Sequence, residues 1–176
     1  IKDYNKIAKM VKKDLTSSDE MTRLAALITS ILMETGIRPG QEGNQTIKTI
    51  NGEKISIETF GAVTLLPKHI KFIRENFAEI EFVGKKGTIN TASLSNAELI
   101  KVLQDYVDKA RTRGSKFIFV TDDGQRFTYS NLSSYFRKKF KGIDPTDFRK
   151  LKATEAVLST LRDEQATLYK LIRDFS

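Results

Sequence analysis

The chain has 176 residues, 39% of them hydrophobic, and carries 30 lysines and arginines against 22 aspartates and glutamates, a formal net charge of +8. That length suits one buried core and hence one domain, and the charge suits an anionic partner wherever it clusters on one face. The absence of cysteine and the presence of one histidine, His69, exclude disulfides, thiolate catalysis, Cys-ligated zinc, multi-histidine metal sites and any histidine triad that does not use that residue.

Residues 4–14 set Ile7, Met10 and Val11 at helical spacing among Lys6, Lys9, Lys12 and Lys13, which predicts a short basic helix. Ser17 stands three residues before Glu20 as in a capping box, and Leu24, Leu27, Ile28, Ile31 and Leu32 then repeat at helical spacing up to Gly36, predicting a core helix over 18–35. Residues 40–54, rich in Gly, Asn and Gln, read as a loop. Strands are expected over 68–73 and 79–83, and the turn Gly84-Lys85-Lys86-Gly87 leads into a third near Thr88-Ile89, making a three-stranded meander.

Ser95 and Glu98 form another capping pattern before Leu99, Val102, Leu103 and Tyr106, so 96–112 should be helical. Phe117 to Val120 reads as a short extended piece that ends in the turn Asp122-Asp123-Gly124. Tyr129 to Phe140 reads as a helix with Leu132, Tyr135, Phe136 and Phe140 inward and Arg137, Lys138, Lys139 and Lys141 outward. Asp144-Pro145-Thr146-Asp147 has the composition of a helix start, and helix is expected from there to the end with a break near Asp163. The fold class is therefore α+β, mainly helical, with a small three-stranded antiparallel sheet. No apolar run approaches the roughly 20 residues that span a bilayer, and Ile1-Lys2-Asp3-Tyr4 has no signal-peptide core, so a soluble, intracellular protein is expected. Beginning on Ile1 suggests a true start further upstream.

Taken singly, Arg38, Lys85 and Arg149 are ordinary surface cations. Their surroundings change that. Thr35-Gly36-Ile37-Arg38-Pro39-Gly40 resembles the motif around the first active-site arginine of the type IB DNA topoisomerases and the related tyrosine recombinases. Phe60-Gly61-Ala62-Val63-Thr64-Leu65-Leu66-Pro67-Lys68-His69-Ile70 resembles the topoisomerase run that leads into the central strands, where recombinases usually differ. Phe82-Val83-Gly84-Lys85 resembles the hairpin that delivers the family's catalytic lysine, and Asp147-Phe148-Arg149 the motif of its second catalytic arginine. Recombinases typically carry a histidine three residues before that arginine, where this chain has Thr146. The four motifs stand in the family's order within residues 18–160.

The resemblance implies transesterification at a DNA phosphodiester. Arg38 and Arg149 would bind the nonbridging oxygens, as planar guanidiniums can do bidentately, and Lys85 would protonate the leaving 5′ oxygen. Lys86 is chemically equivalent to its neighbour, and Lys85 is chosen for its place directly after Gly84. The implied partner is double-stranded DNA, held mainly through phosphates, with no cofactor, no metal, no membrane and a monomeric protein working wherever DNA is. Gly84-Lys85-Lys86-Gly87 is too short for a P-loop.

Three expected features are not found. The family completes its site with a histidine or lysine and then a tyrosine nucleophile, both well downstream of the second arginine. No histidine follows Arg149, and Tyr169 lies in Leu168-Tyr169-Lys170-Leu171, a helical stretch. His69 falls in the run before the central strands, where a structural role is expected. The family's N-terminal DNA-clamp domain is absent as well. Residues 1–176 are therefore expected to be a partial catalytic domain, inactive alone, of a topoisomerase. The alternatives are a tyrosine recombinase core and a catalytically inactive DNA-binding module.

Overall fold

The computed structural model describes residues 3–175. Its centre is helix α2, Glu20–Thr35, which is apolar on nearly every side and therefore has to be surrounded. Leu24, Leu27, Ile28, Ile31 and Leu32 are fully buried, and the hydroxyl of buried Thr29 donates to Ala25 O at 2.7 Å. The cap is Asp19, whose carboxylate accepts from Thr22 N at 3.1 Å, and not Ser17. Ser17 Oγ instead accepts from Asp19 N, and Glu20 turns to Arg23 at 3.1 Å.

Helix α1, Tyr4–Asp14, lays Ile7 and Val11 on α2. Helix α3 spans Ala97–Arg113 and helix α4 spans Tyr129–Lys139. Asn96, not Ser95, caps α3 through Leu99 N, because Ser95 gives its N–H and hydroxyl to Glu34 at 2.6 and 2.9 Å. The Tyr135 hydroxyl of α4 donates to buried Asp14 at 2.8 Å, which joins α4 to the end of α1. Burial, reinforced by that bond, pushes the Tyr135 phenol well above its ordinary range.

The expected three-stranded antiparallel sheet forms from β3, Ile70–Arg74, β4, Phe77–Val83, and β5, Ile89–Leu94, in that order. In β4 the strand period puts Ala78, Ile80 and Phe82 inward and Glu79 and Glu81 outward.

Three expectations are corrected. Residues 45–58, read for the most part as loop, form a hairpin of β1, Gln45–Ile50, and β2, Glu53–Glu58, in register from Gln45↔Glu58 to Ile50↔Glu53. Its turn is Asn51-Gly52, both at positive φ, the pairing that favours a two-residue hairpin, and the strands are mostly exposed, so no buried face marks them in sequence. Residues at 144–146 form a turn ahead of the last helix, α5, which begins at Asp147. Finally, α5 runs unbroken from Asp147 to Asp174, because it contains no glycine or proline and mostly good helix formers. Past Lys152 it is exposed on all sides, including Val157, Leu161 and Leu168. None of the helices among the described residues is long and apolar enough to cross a membrane.

Because α2 supplies the centre of the core, truncating it should be costly. Leu27→Ala is expected to lose about 3–5 kcal/mol of stability, read as a lower midpoint in urea denaturation with the slope unchanged.

Candidate functional site

Gly36 ends α2 in the left-handed conformation, φ 68°, and Arg38 follows two residues later. The first turns of α5 pack onto this corner so tightly that a Cβ on Gly36 would lie 2.7 Å from Lys152 Cβ and 3.8 Å from Arg149 Cα. One glycine thus lets the two arginine-bearing segments meet.

Backbone bonds then tie the Arg38 segment to the strand that leads to Lys85. Ala62 N and Val63 N donate to Arg38 O and Pro39 O, each at 2.8 Å, while Phe60 N donates to Val83 O at 2.8 Å. The Gly40 and Gly61 backbones touch, since a Cβ on Gly40 would stand 2.6 Å from Gly61 Cα. Beyond Val83 the chain turns at Lys85–Gly87 with Gly84 N donating to Thr88 O at 2.8 Å. The loop after Arg38 is held from its other side by an ion pair between Glu42 and Arg126, whose guanidinium lies 4.0 Å from the Phe117 ring centroid.

These constraints gather Arg38, Lys85, Lys86 and Arg149 around one cavity of about 620 Å³. The side chains lining it include no carboxylate. A smaller adjoining cavity of about 290 Å³ is lined by the same four cations. Among the described residues, Arg38, Lys85 and Arg149 have no carboxylate within ion-pair distance. Partial burial, and after it the charge of Arg38, lower the affinity of the Arg149 guanidinium for its proton. Guanidiniums remain charged at neutral pH all the same, so the cavity concentrates positive charge that nothing inside it neutralises.

The acids nearest in sequence are engaged locally. Asp144 accepts from Thr146 Oγ1 at 2.6 Å and from Thr146 N at 2.8 Å, bonds that hold its carboxyl below the usual range, while the Asp147 carboxylate accepts from Asp144 N at 2.8 Å. Arg149 stands in the first turn of α5, where the helix dipole adds to the field felt by an anion.

All three residues singled out from sequence therefore face one cavity. The sequence did not single out Tyr129, Gln41, Asn44 and Thr59, which line it too. Tyr129 is the first residue of α4, capped by Thr128 through Asn131 N at 3.3 Å, and that capping pattern was its one local signal. Tyr169 is 65% exposed and twenty residues beyond Arg149 on α5, about 30 Å along a helix rising 1.5 Å per residue. His69 is buried in the scaffold. Its Nδ1 accepts from Leu66 N at 2.9 Å, and its ring meets Phe60, another cavity residue, edge-on at 4.7 Å. Among the described residues no group of three His, Cys, Asp or Glu could hold a metal ion.

A family model described as eukaryotic DNA topoisomerase I, catalytic core, matches residues 2–174. Among solved structures the chain is similar to the XerH site-specific recombinase bound to its difH substrate in a pre-cleavage complex, at 14% identity and TM-score 0.52, over 82% of this chain and 38% of that one. A post-cleavage complex of the same recombinase on a palindromic difH substrate matches at 14% identity and TM-score 0.52, over 82% and 37%. The likeness is one of fold, and the chain spans well under half the length of those recombinase chains. No curated protein matches the chain in sequence.

Gly36→Ala is expected to cost about 1–3 kcal/mol, from the left-handed backbone and the collision with Lys152, measurable by chemical denaturation. His69 supplies a pH dependence. Burial, then Lys68, depresses its pKa from 6.5 to about 4, and protonation would remove the acceptor that Leu66 N uses. The unfolded chain takes up that proton first as pH falls, so the contribution is full above about pH 6.5 and is lost between there and about pH 4. It amounts to on the order of 3 kcal/mol at most. Thermal melts of His69→Gln beside wild type should converge as pH is lowered through that window, and parallel curves would contradict it.

Proposed function

The chain belongs to the family of the eukaryotic DNA topoisomerase I catalytic core, and from that premise we propose that its protein is a type IB enzyme that relaxes supercoiled DNA through a transient single-strand break. The observation that supports this reading most is the cavity lined by Arg38, Lys85, Lys86 and Arg149 with no carboxylate among its lining side chains. A phosphodiester is the ligand such a field suits, and extra charge on its nonbridging oxygens in the transition state is stabilised further.

In the proposed reaction a tyrosine hydroxyl attacks the phosphorus and loses its proton to water. The bond to the 5′ oxygen breaks, and Lys85 gives that oxygen a proton. The strand is left joined to the enzyme by a 3′-phosphotyrosyl bond. Rotation of the free end releases supercoils, and the 5′ hydroxyl then attacks the phosphotyrosine, returning its proton to Lys85 while the bond to tyrosine breaks and the phenolate regains a proton from water. One ester replaces another at each step, so resealing needs no ATP. Arg38 and Arg149 hold the nonbridging oxygens throughout. Since Tyr169 stands far along α5, the nucleophile is proposed to come from a segment downstream of Ser176, with residues 1–176 as one part of the catalytic domain. A recombinase would use the same fold, but Thr146 occupies the place of its usual histidine.

DNA contact is proposed to be mainly to phosphates, so binding by this chain should weaken steeply with salt, its slope reporting the number of phosphates neutralised. The deciding experiment is plasmid relaxation in EDTA without ATP by the full product of the gene. Wild type should relax the plasmid, Arg149→Ala and Lys85→Ala should each lose about a hundredfold or more in rate, and Tyr129→Phe should stay active as a lining residue. A full-length protein that binds the plasmid and leaves its supercoiling unchanged would end the topoisomerase reading, and strand exchange without relaxation would establish the recombinase one.

A further inference from the structure

The turn that carries Lys85 is not closed by its own residues alone. Gly84 O takes the N–H of Gly87 at 3.0 Å, and Thr88 O takes Gly84 N at 2.8 Å and Asn90 Nδ2 at 2.9 Å. Gly87 O is different. Its partner is Lys48 Nζ at 2.9 Å, from 39 residues earlier on β1. Lys48 packs as well as bonds there: a Cβ on Gly87 would collide with Lys48 Cε and come within 3.2 Å of Thr46 Cγ2. Lys86, between the two glycines, stands at φ 65°, a left-handed conformation uncommon for a lysine. The hairpin doing the holding is mostly solvent-exposed, with Ile47 69% accessible, so it does not owe its place to the core.

We propose that Lys48 is a positioning residue for Lys85: its bond to Gly87 O couples the β1–β2 hairpin to the turn and fixes where the Lys85 ammonium stands in the cavity. The inference rests on Lys85 being the general acid. A lysine on a flexible stem delivers a proton efficiently only when its backbone is held at the right distance, and a displacement of about 1 Å can cost on the order of a hundredfold. Lys48 touches neither the phosphate nor the leaving oxygen in this scheme; it acts through the turn.

The test uses the full product of the gene in single-turnover cleavage of a DNA duplex, with either the normal 5′ oxygen or a bridging sulfur at the scissile position. A thiolate leaves without needing a proton, so sulfur restores a variant whose only defect is proton delivery. Lys48→Met should cleave the oxygen substrate about tenfold or more slowly and recover on sulfur. Lys48→Arg, which can still donate to Gly87 O, should stay near wild type. Lys48→Met combined with Lys85→Ala should be no slower than Lys85→Ala alone. Wild-type cleavage by Lys48→Met, equal slowing on both substrates, or an additive double variant would each overturn the proposal, the last by making Lys48 an independent participant. Lys85→Ala is the control that separates the two claims. If it cleaves the oxygen substrate normally, or fails to recover on sulfur, the general-acid assignment falls first and the role of Lys48 goes with it.

Discussion

Four like charges around one cavity repel one another, and the rest of the fold has to overcome that repulsion. Arg38, Lys85, Lys86 and Arg149 face a space with no lining carboxylate, so their own electrostatics would spread them apart. What holds them is not the pairing of opposite charges. The backbone bonds from Ala62 and Val63 to the Arg38 segment and from Phe60 to Val83, with the contact of Gly36 on Lys152, set the cations on rigid supports.

The acidic residues show the same division. Asp14 is buried against Tyr135 with Lys139 at 3.5 Å, Asp122 pairs with Lys109 and Arg113, and Glu42 pairs with Arg126. Asp144 and Asp147 cap their own turn. Each of these carboxylates has a partner of its own away from the cavity. Exposed pairs of this kind add little stability; here they keep negative charge away from the cations. The terminal half of α5 departs from the economy of the rest. It is built mostly of good helix formers and carries exposed leucines away from the core.

Much of the fold was legible because its signals are local or periodic. The apolar repeat of α2, the alternation of β4 and the Gly-rich turn after Val83 each follow from a short window of sequence. The β1–β2 hairpin was missed because its strands have no buried face, although Asn51-Gly52 carried the turn signal. The cap of α3 moved by one residue because the competing partner was not local: Ser95 was taken by Glu34, sixty-one positions away. The expected break at Asp163 did not occur, since an exposed aspartate disturbs a helix far less than a glycine or proline does.

Of the cavity, the sequence by itself determined the residue types and their order: two arginines and a lysine in motifs of one family, with the arginines' supports ending in glycine and beginning near proline. It could not determine that Tyr129 shares their cavity, that Tyr169 stands far along α5, or that Lys48 grips the turn beside Lys85. Those relations join residues dozens of positions apart, and they exist only after the loops close and the core excludes water. Local propensity acts over a few residues, whereas a hydrogen bond between Lys48 and Gly87 depends on where every element between them is packed.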